Sequence, residues 1–133
     1  MDSKIRNVMH ECTRASDEER VTFGEVVKQL TDVGVERYHA DLVRAEKTYH
    51  LSNGESEVVS ARAVRLRPAD QFSASGVETA VRAVQAGRIQ YNEFCELVSA
   101  AGCVGYHVSI AGKRAVYYGR TGDSHIEWFP GAR

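Results

Sequence analysis

Apolar residues recur every three or four positions over four segments of the chain. Ile5, Val8, Met9, Cys12 and Ala15 form the first set, and Phe23, Val26, Val27, Leu30 and Val33 the second. Val77, Ala80, Val81 and Val84 form the third, and Tyr91, Phe94, Cys95, Val98 and Ala101 the fourth. That spacing puts each set on one face of a helix and predicts four amphipathic helices. Thr22 with Glu25, and Ser75 with Glu78, have the spacing of a capping box, in which two side chains satisfy otherwise unpaired amides at a helix start. Gly34, Gly87 and Gly102 stand where a helix ends in a left-handed residue.

After Gly34 and Gly102 the period changes to two. Val104, Tyr106, Val108 and Ile110 alternate with Gly105, His107 and Ser109, the pattern of a half-buried strand. Gly112-Lys113, Thr121-Gly122 and Asn53-Gly54 read as two-residue hairpin loops, with Arg44-Ala45 in place of a glycine turn in the first half. A shift of 68, the distance from Gly34 to Gly102, aligns residues 20–56 with 88–124 without a gap and gives eight identities in 37 pairs. Tyr38-His39 recurs as Tyr106-His107, and Tyr49 as Tyr117. Chance would give about two identities at ordinary residue frequencies. The expected architecture is an α+β two-layer sandwich in a single domain spanning 1–133. It comprises two quasi-repeated α-α-β-β-β units, about 1–66 and 67–133, with helices on one face of antiparallel sheet.

The two-residue loops imply a register. His107 then opposes Tyr118, and Tyr118 opposes His125, in one outward row; the first half gives His39, His50 and Glu57, flanked by Asp41 and Thr48. Tyr38 and Tyr106 point to the core, Trp128 faces inward beside Ala115, and Phe129 faces outward. Two imidazoles and a carboxylate are a recognised ligand set, so His39, His50 and Glu57 are the candidate holders of a divalent metal. The candidate binding face comprises His39, Asp41, His50, Glu57, His107, Ser109, Tyr118, His125 and Glu127, with Val59 and Val116 beside them.

Charge narrows the choice of partner. Seventeen Lys and Arg against eighteen Asp and Glu leave a net charge of -1, which provides no field to draw the chain to nucleic acid. No segment has the length and apolarity of a membrane span, and the first residues lack the pattern of a secretory leader. Cys12, Cys95 and Cys103 show no metal-ligand spacing, and the first two sit at apolar helix positions. The expectation is a reduced, cytoplasmic protein.

No nucleophile–base–orienter set and no phosphate-cradling loop stands out. The reading is therefore a non-catalytic binding or interaction module, taking a protein partner, a second copy of itself or a small ligand, with no cofactor. The alternative is an enzyme that uses the outward His and carboxylate rows with a metal or as acid–base groups.

The stretches "YHADLVRAEKTYHLSNGES" and "AGCVGYHVSIAGKRAVYYGRTGDSHIEWFPGA" resemble the YdfO-like (YbcV-like) family of small bacterial and prophage-borne proteins. The resemblance runs nearly the full chain. It implies an α+β two-layer fold and a prophage or stress context, and it supplies no reaction, cofactor or catalytic residue.

Overall fold

A computed structural model describes residues 1–132. The order is α1 (Ser3–Asp17), α2 (Phe23–Asp32), β1 (Val35–Asp41), β2 (Glu46–Leu51), β3 (Ser56–Ser60), α3 (Ala74–Gln85), α4 (Tyr91–Ala100), β4 (Cys103–Ser109), β5 (Arg114–Gly119) and β6 (Ser124–Trp128). The strands form one sheet in the order β3-β2-β1-β4-β5-β6, and every neighbouring pair is antiparallel. The helices cover one face, α1 on β3, α2 on β1, α4 on β4 and α3 on β6. This is the expected α+β two-layer architecture. The bounds of α2, β1, β2 and β3 recur in α4, β4, β5 and β6 at the same offset of 68, from 23–32 and 91–100 through 56–60 and 124–128. Positions 68 apart are called matched below.

The helices form where apolar periodicity meets a cap. Thr22 and Glu25 close the expected capping box on α2. On α3 the cap is Ser73, whose hydroxyl accepts from the Gly76 amide, so the helix starts before the Ser75–Glu78 pair.

The hairpins differ from expectation in length, and length sets register. Leu51 N–H donates to the Glu55 carbonyl around Ser52-Asn53-Gly54, and Gly119 N–H to Asp123 around Arg120-Thr121-Gly122. Each loop ends in a left-handed glycine, Gly54 at φ 94° and Gly122 at φ 87°, the three-residue loop with a bulge rather than the two-residue turn. One added residue flips the following strand. Glu57 and His125 therefore pair with Tyr49 and Tyr117, on the helix-covered face, and Val58 and Ile126 point outward. The same slip puts Glu127 opposite Ala115, and Trp128 opposite Arg114, whose guanidinium lies 4.0 Å from the indole centre. Phe129, expected outward, packs edge-on against Phe23.

The β1–β2 and β4–β5 loops are four residues long, 42–45 and 110–113, and each ends in a left-handed non-glycine, Ala45 or Lys113. Two added residues keep every face but slide the partners. His107 opposes Val116, and Tyr118 opposes Gly105.

The core lies between the sheet and the helices, around Met9, Leu30, Val77 and Val98 and the matched tyrosine pairs Tyr38/Tyr106 and Tyr49/Tyr117. Gly34 (φ +87°) and Gly102 (φ +89°) both end helices in the left-handed region, but their surroundings differ. A Cβ at Gly34 would meet open space; one at Gly102 would lie 2.3 Å from the Gln71 carbonyl oxygen. Gly34→Ala should cost about 1 kcal/mol, the left-handed penalty alone. Gly102→Ala should cost on the order of 3 kcal/mol or more, because backbone must also move. Urea denaturation of the two variants checks the difference.

Candidate functional site

Of the nine expected face residues, six point away from the helices. His39 opposes His107 at the centre of the sheet, with ring centres 4.4 Å apart. Tyr118 reaches across β4 so that its hydroxyl lies 2.6 Å from His39 Nε2. Gly105 makes this reach possible: a Cβ there would lie 2.6 Å from the Tyr118 hydroxyl. His50 sits beside Arg37 on β2. Asp41 and Ser109 are turn formers: Asp41 Oδ1 accepts from the Val43 and Arg44 amides, and Ser109 Oγ from the Gly112 amide. Burial holds the His39 and His107 imidazoles below their ordinary pKa, and His50 likewise. The face thus carries neutral rings near pH 7.

Glu57, His125 and Glu127 are on the opposite face, so the row His39–His50–Glu57 does not assemble. Glu57 instead holds α1, through His10 at 2.9 Å and Arg6 at 3.1 Å. At the matched position His125 faces Glu78 on α3 at 3.9 Å and meets Glu127 at 2.5 Å, while Arg82 holds the other Glu127 oxygen at 2.9 Å. His10 and Glu78 are matched, as are Glu57 and His125, so the same clamp is built twice with acid and base exchanged. Glu78, His125 and Glu127 bring three metal-ligand atoms within 4.8 Å. Both Glu127 oxygens are engaged by protein cations and imidazole, and the cluster acts as a tie between helix and edge strand.

The two helix junctions give a sharper contrast. At the first, between α1 and α4, Lys47 rises from the middle of β2, only 5 % exposed. Its ammonium lies 4.8 Å from the centre of the Tyr91 ring, with Asp17 and Cys95 around it. It has no ion pair or hydrogen bond among the described residues, and burial lowers its pKa. The space left is about 20 Å³, room for a water molecule.

At the second junction, between α2 and α3, Ala115 is matched to Lys47, Phe23 to Tyr91 and Gln85 to Asp17. All three line a cleft of about 680 Å³. Tyr38, Tyr106, Tyr117 and Phe94 form its inner wall, Val81 and Val84 one side, and Phe23 and Phe129 meet at 5.4 Å on its rim. A short side chain at 115 and a ring swung outward at 23 leave this junction open where the other is filled.

The same substitutions strip hydrogen bonds from the floor. Tyr49 shares a 2.6 Å hydrogen bond with Thr13, whereas the matched Tyr117 faces Val81 in place of threonine. Tyr106 shares a 2.8 Å bond with Tyr91, whereas the residue matched to Tyr91 is Phe23, which lines the cleft with Tyr38 and has no hydroxyl to offer it. Tyr38 and Tyr117 are 4 % and 8 % exposed, and their hydroxyls have no partner among the described residues. Neither hydroxyl is sealed in the interior; both tyrosines border the cleft. One helix junction therefore presents two hydroxyls in an apolar recess. The sequence reading overlooked this site. Its signal was a charged residue, Lys47, at an inward strand position where the matched residue is alanine.

The chain belongs to the family described as "Protein of unknown function (DUF1398)", whose model matches residues 7–127. That range takes in α2 to α4, most of α1, and the sheet as far as Glu127 of β6. No curated protein matches the chain.

The histidine face sets an acid sensitivity. A depressed folded-state pKa means that the unfolded chain takes up more protons as acid is added. Stability is present above the unfolded value of 6.5 and is lost as pH falls through the folded values. The window lies above that of the carboxylates, whose ordinary value is near 4.5. The urea midpoint should fall from pH 7 to pH 5, and His39→Gln/His107→Gln should flatten that slope. Comparison with the parent cancels the opposing effect of Asp17, whose pKa is raised by burial.

Proposed function

We propose that this protein is a binding module that takes a small, mostly apolar ligand in the cleft between α2 and α3. The observation that carries this reading is the pair of hydroxyls on the buried side chains of Tyr38 and Tyr117, opening on a cleft of about 680 Å³ without protein partners. Cavities of a few hundred cubic ångströms with apolar walls and a few polar groups are the usual form of small-molecule sites.

The two halves are read as one unit written twice within a single domain; of the two junctions between them, one is filled and the other left open for a ligand. The YdfO-like resemblance, with its prophage or stress context, fits a small accessory binding protein. Three buried free thiols support a reducing, cytoplasmic setting. No helix among the described residues is long and apolar enough to cross a membrane. The histidine face, without a recess of its own size, supports contact with a partner or a second copy rather than catalysis.

N-phenyl-1-naphthylamine, a neutral dye that brightens in apolar surroundings, should bind with one site per chain. Val84→Trp should abolish the signal by filling the cleft from α3 while leaving the melting temperature near the parent value. Unchanged dye binding by a folded Val84→Trp protein would contradict the reading.

A further inference from the structure

The cleft also defines the chemistry of its ligand. Three acidic side chains line it, Glu19, Glu25 and Glu127, against a single base, Arg20. Arg20 is tied to Glu18 at 2.6 Å and Glu11 at 3.1 Å, so it offers no open cation. Glu25 closes the α2 cap, Glu19 accepts from the Asn92 amide, and Glu127 is held by Arg82 and His125. Three acids against one tied arginine leave a net negative rim, which opposes an anionic ligand.

Gln85 and Gln90 carry exposed amides at the mouth, and the open polar groups on buried residues are the hydroxyls of Tyr38 and Tyr117. Burial raises the pKa of both, so they stay protonated near neutrality and act as neutral hydrogen-bond donors. Donors in an apolar wall call for an acceptor, and the negative rim favours one without charge. They sit on β1 and β5, with β4 between, so their backbones are separated by roughly 10 Å. The rest of the lining is largely hydrocarbon and aromatic, with Val81, Val84, Ile89 and Phe94 among it.

Building on the cleft as a ligand site, we infer that it takes a neutral, mostly apolar molecule with a carbonyl or comparable acceptor oxygen held by the Tyr38 or the Tyr117 hydroxyl, and that it rejects carboxylates of the same shape. The matched junction shows what the protein does when no ligand is to be held. There, hydroxyls of Thr13 and Tyr91 occupy Tyr49 and Tyr106. In the cleft, Val81 and Phe23 withhold those partners and leave the donors to the ligand.

Equilibrium dialysis against three probes of one shape tests this: 2-acetylnaphthalene, 2-ethylnaphthalene and 2-naphthoate. The ketone should bind roughly tenfold more tightly than the hydrocarbon, with naphthoate weakest. Tyr38→Phe and Tyr117→Phe, singly and together, should erode the ketone's advantage. Retained affinity for 2-ethylnaphthalene will show that the cleft has kept its shape. Equal binding of ketone and hydrocarbon, or naphthoate binding as tightly as the ketone, would overturn the ligand class while leaving the cleft as an apolar site. A ketone advantage that survives the double variant would overturn the assignment to these two hydroxyls. Binding of none of the three probes would overturn both this inference and the cleft reading beneath it.

Discussion

The pairing of β1 with β4 holds the rest of the structure in place. Each half supplies three strands and two helices, and β1–β4 is the ladder that joins the two three-stranded sets into one sheet. The residues at its centre, His39 and His107, are 68 apart in sequence, so the ladder closes only after long chain segments have been brought together. Once formed, it sets Tyr38 and Tyr106 side by side on the covered face. It also brings α1 to α4 across one flank and faces α2 toward α3 across the other. Both helix junctions exist because of that ladder.

The junctions diverge through a few side chains. Lys47 with Tyr91 fills one; Ala115 with Phe23 leaves the other open. Burying a lysine without a counter-ion in direct contact is costly, and its lowered pKa reflects that cost. The aromatic ring beneath the ammonium and the nearby charge of Asp17 offset part of it. The open junction avoids the buried charge but leaves two tyrosines short of partners. A ligand that supplies acceptors completes the second junction as Thr13 and Tyr91 complete the tyrosines of the first.

Much of the fold was legible in the sequence because it is written in periods. Apolar residues at helical spacing, glycines at helix ends and alternation in the strands located the elements, and the offset of 68 anticipated their recurrence. Register was less legible. Asn53-Gly54 and Thr121-Gly122 look like two-residue turns, but in each the glycine is the last residue of a three-residue loop. That single residue moved Glu57, His125 and Glu127 to the helix side and dispersed the expected metal row. The strands whose loops grew by two kept their faces, so His39, His107 and Tyr118 came together after all, through a diagonal contact across Gly105. The cleft left a fainter trace, because it depends on what is missing at 81, 115 and 23 relative to positions 13, 47 and 91.

The most direct test transplants the filled junction into the open one. Gln85→Asp/Ala115→Lys/Phe23→Tyr gives the open junction the residues found at Asp17, Lys47 and Tyr91. The affinity for N-phenyl-1-naphthylamine should then be measured at a temperature where near-ultraviolet circular dichroism shows the variant folded. The account predicts that dye binding is lost, because the lysine stem and the tyrosine ring occupy the recess. A folded variant that binds the dye as tightly as the parent would contradict it.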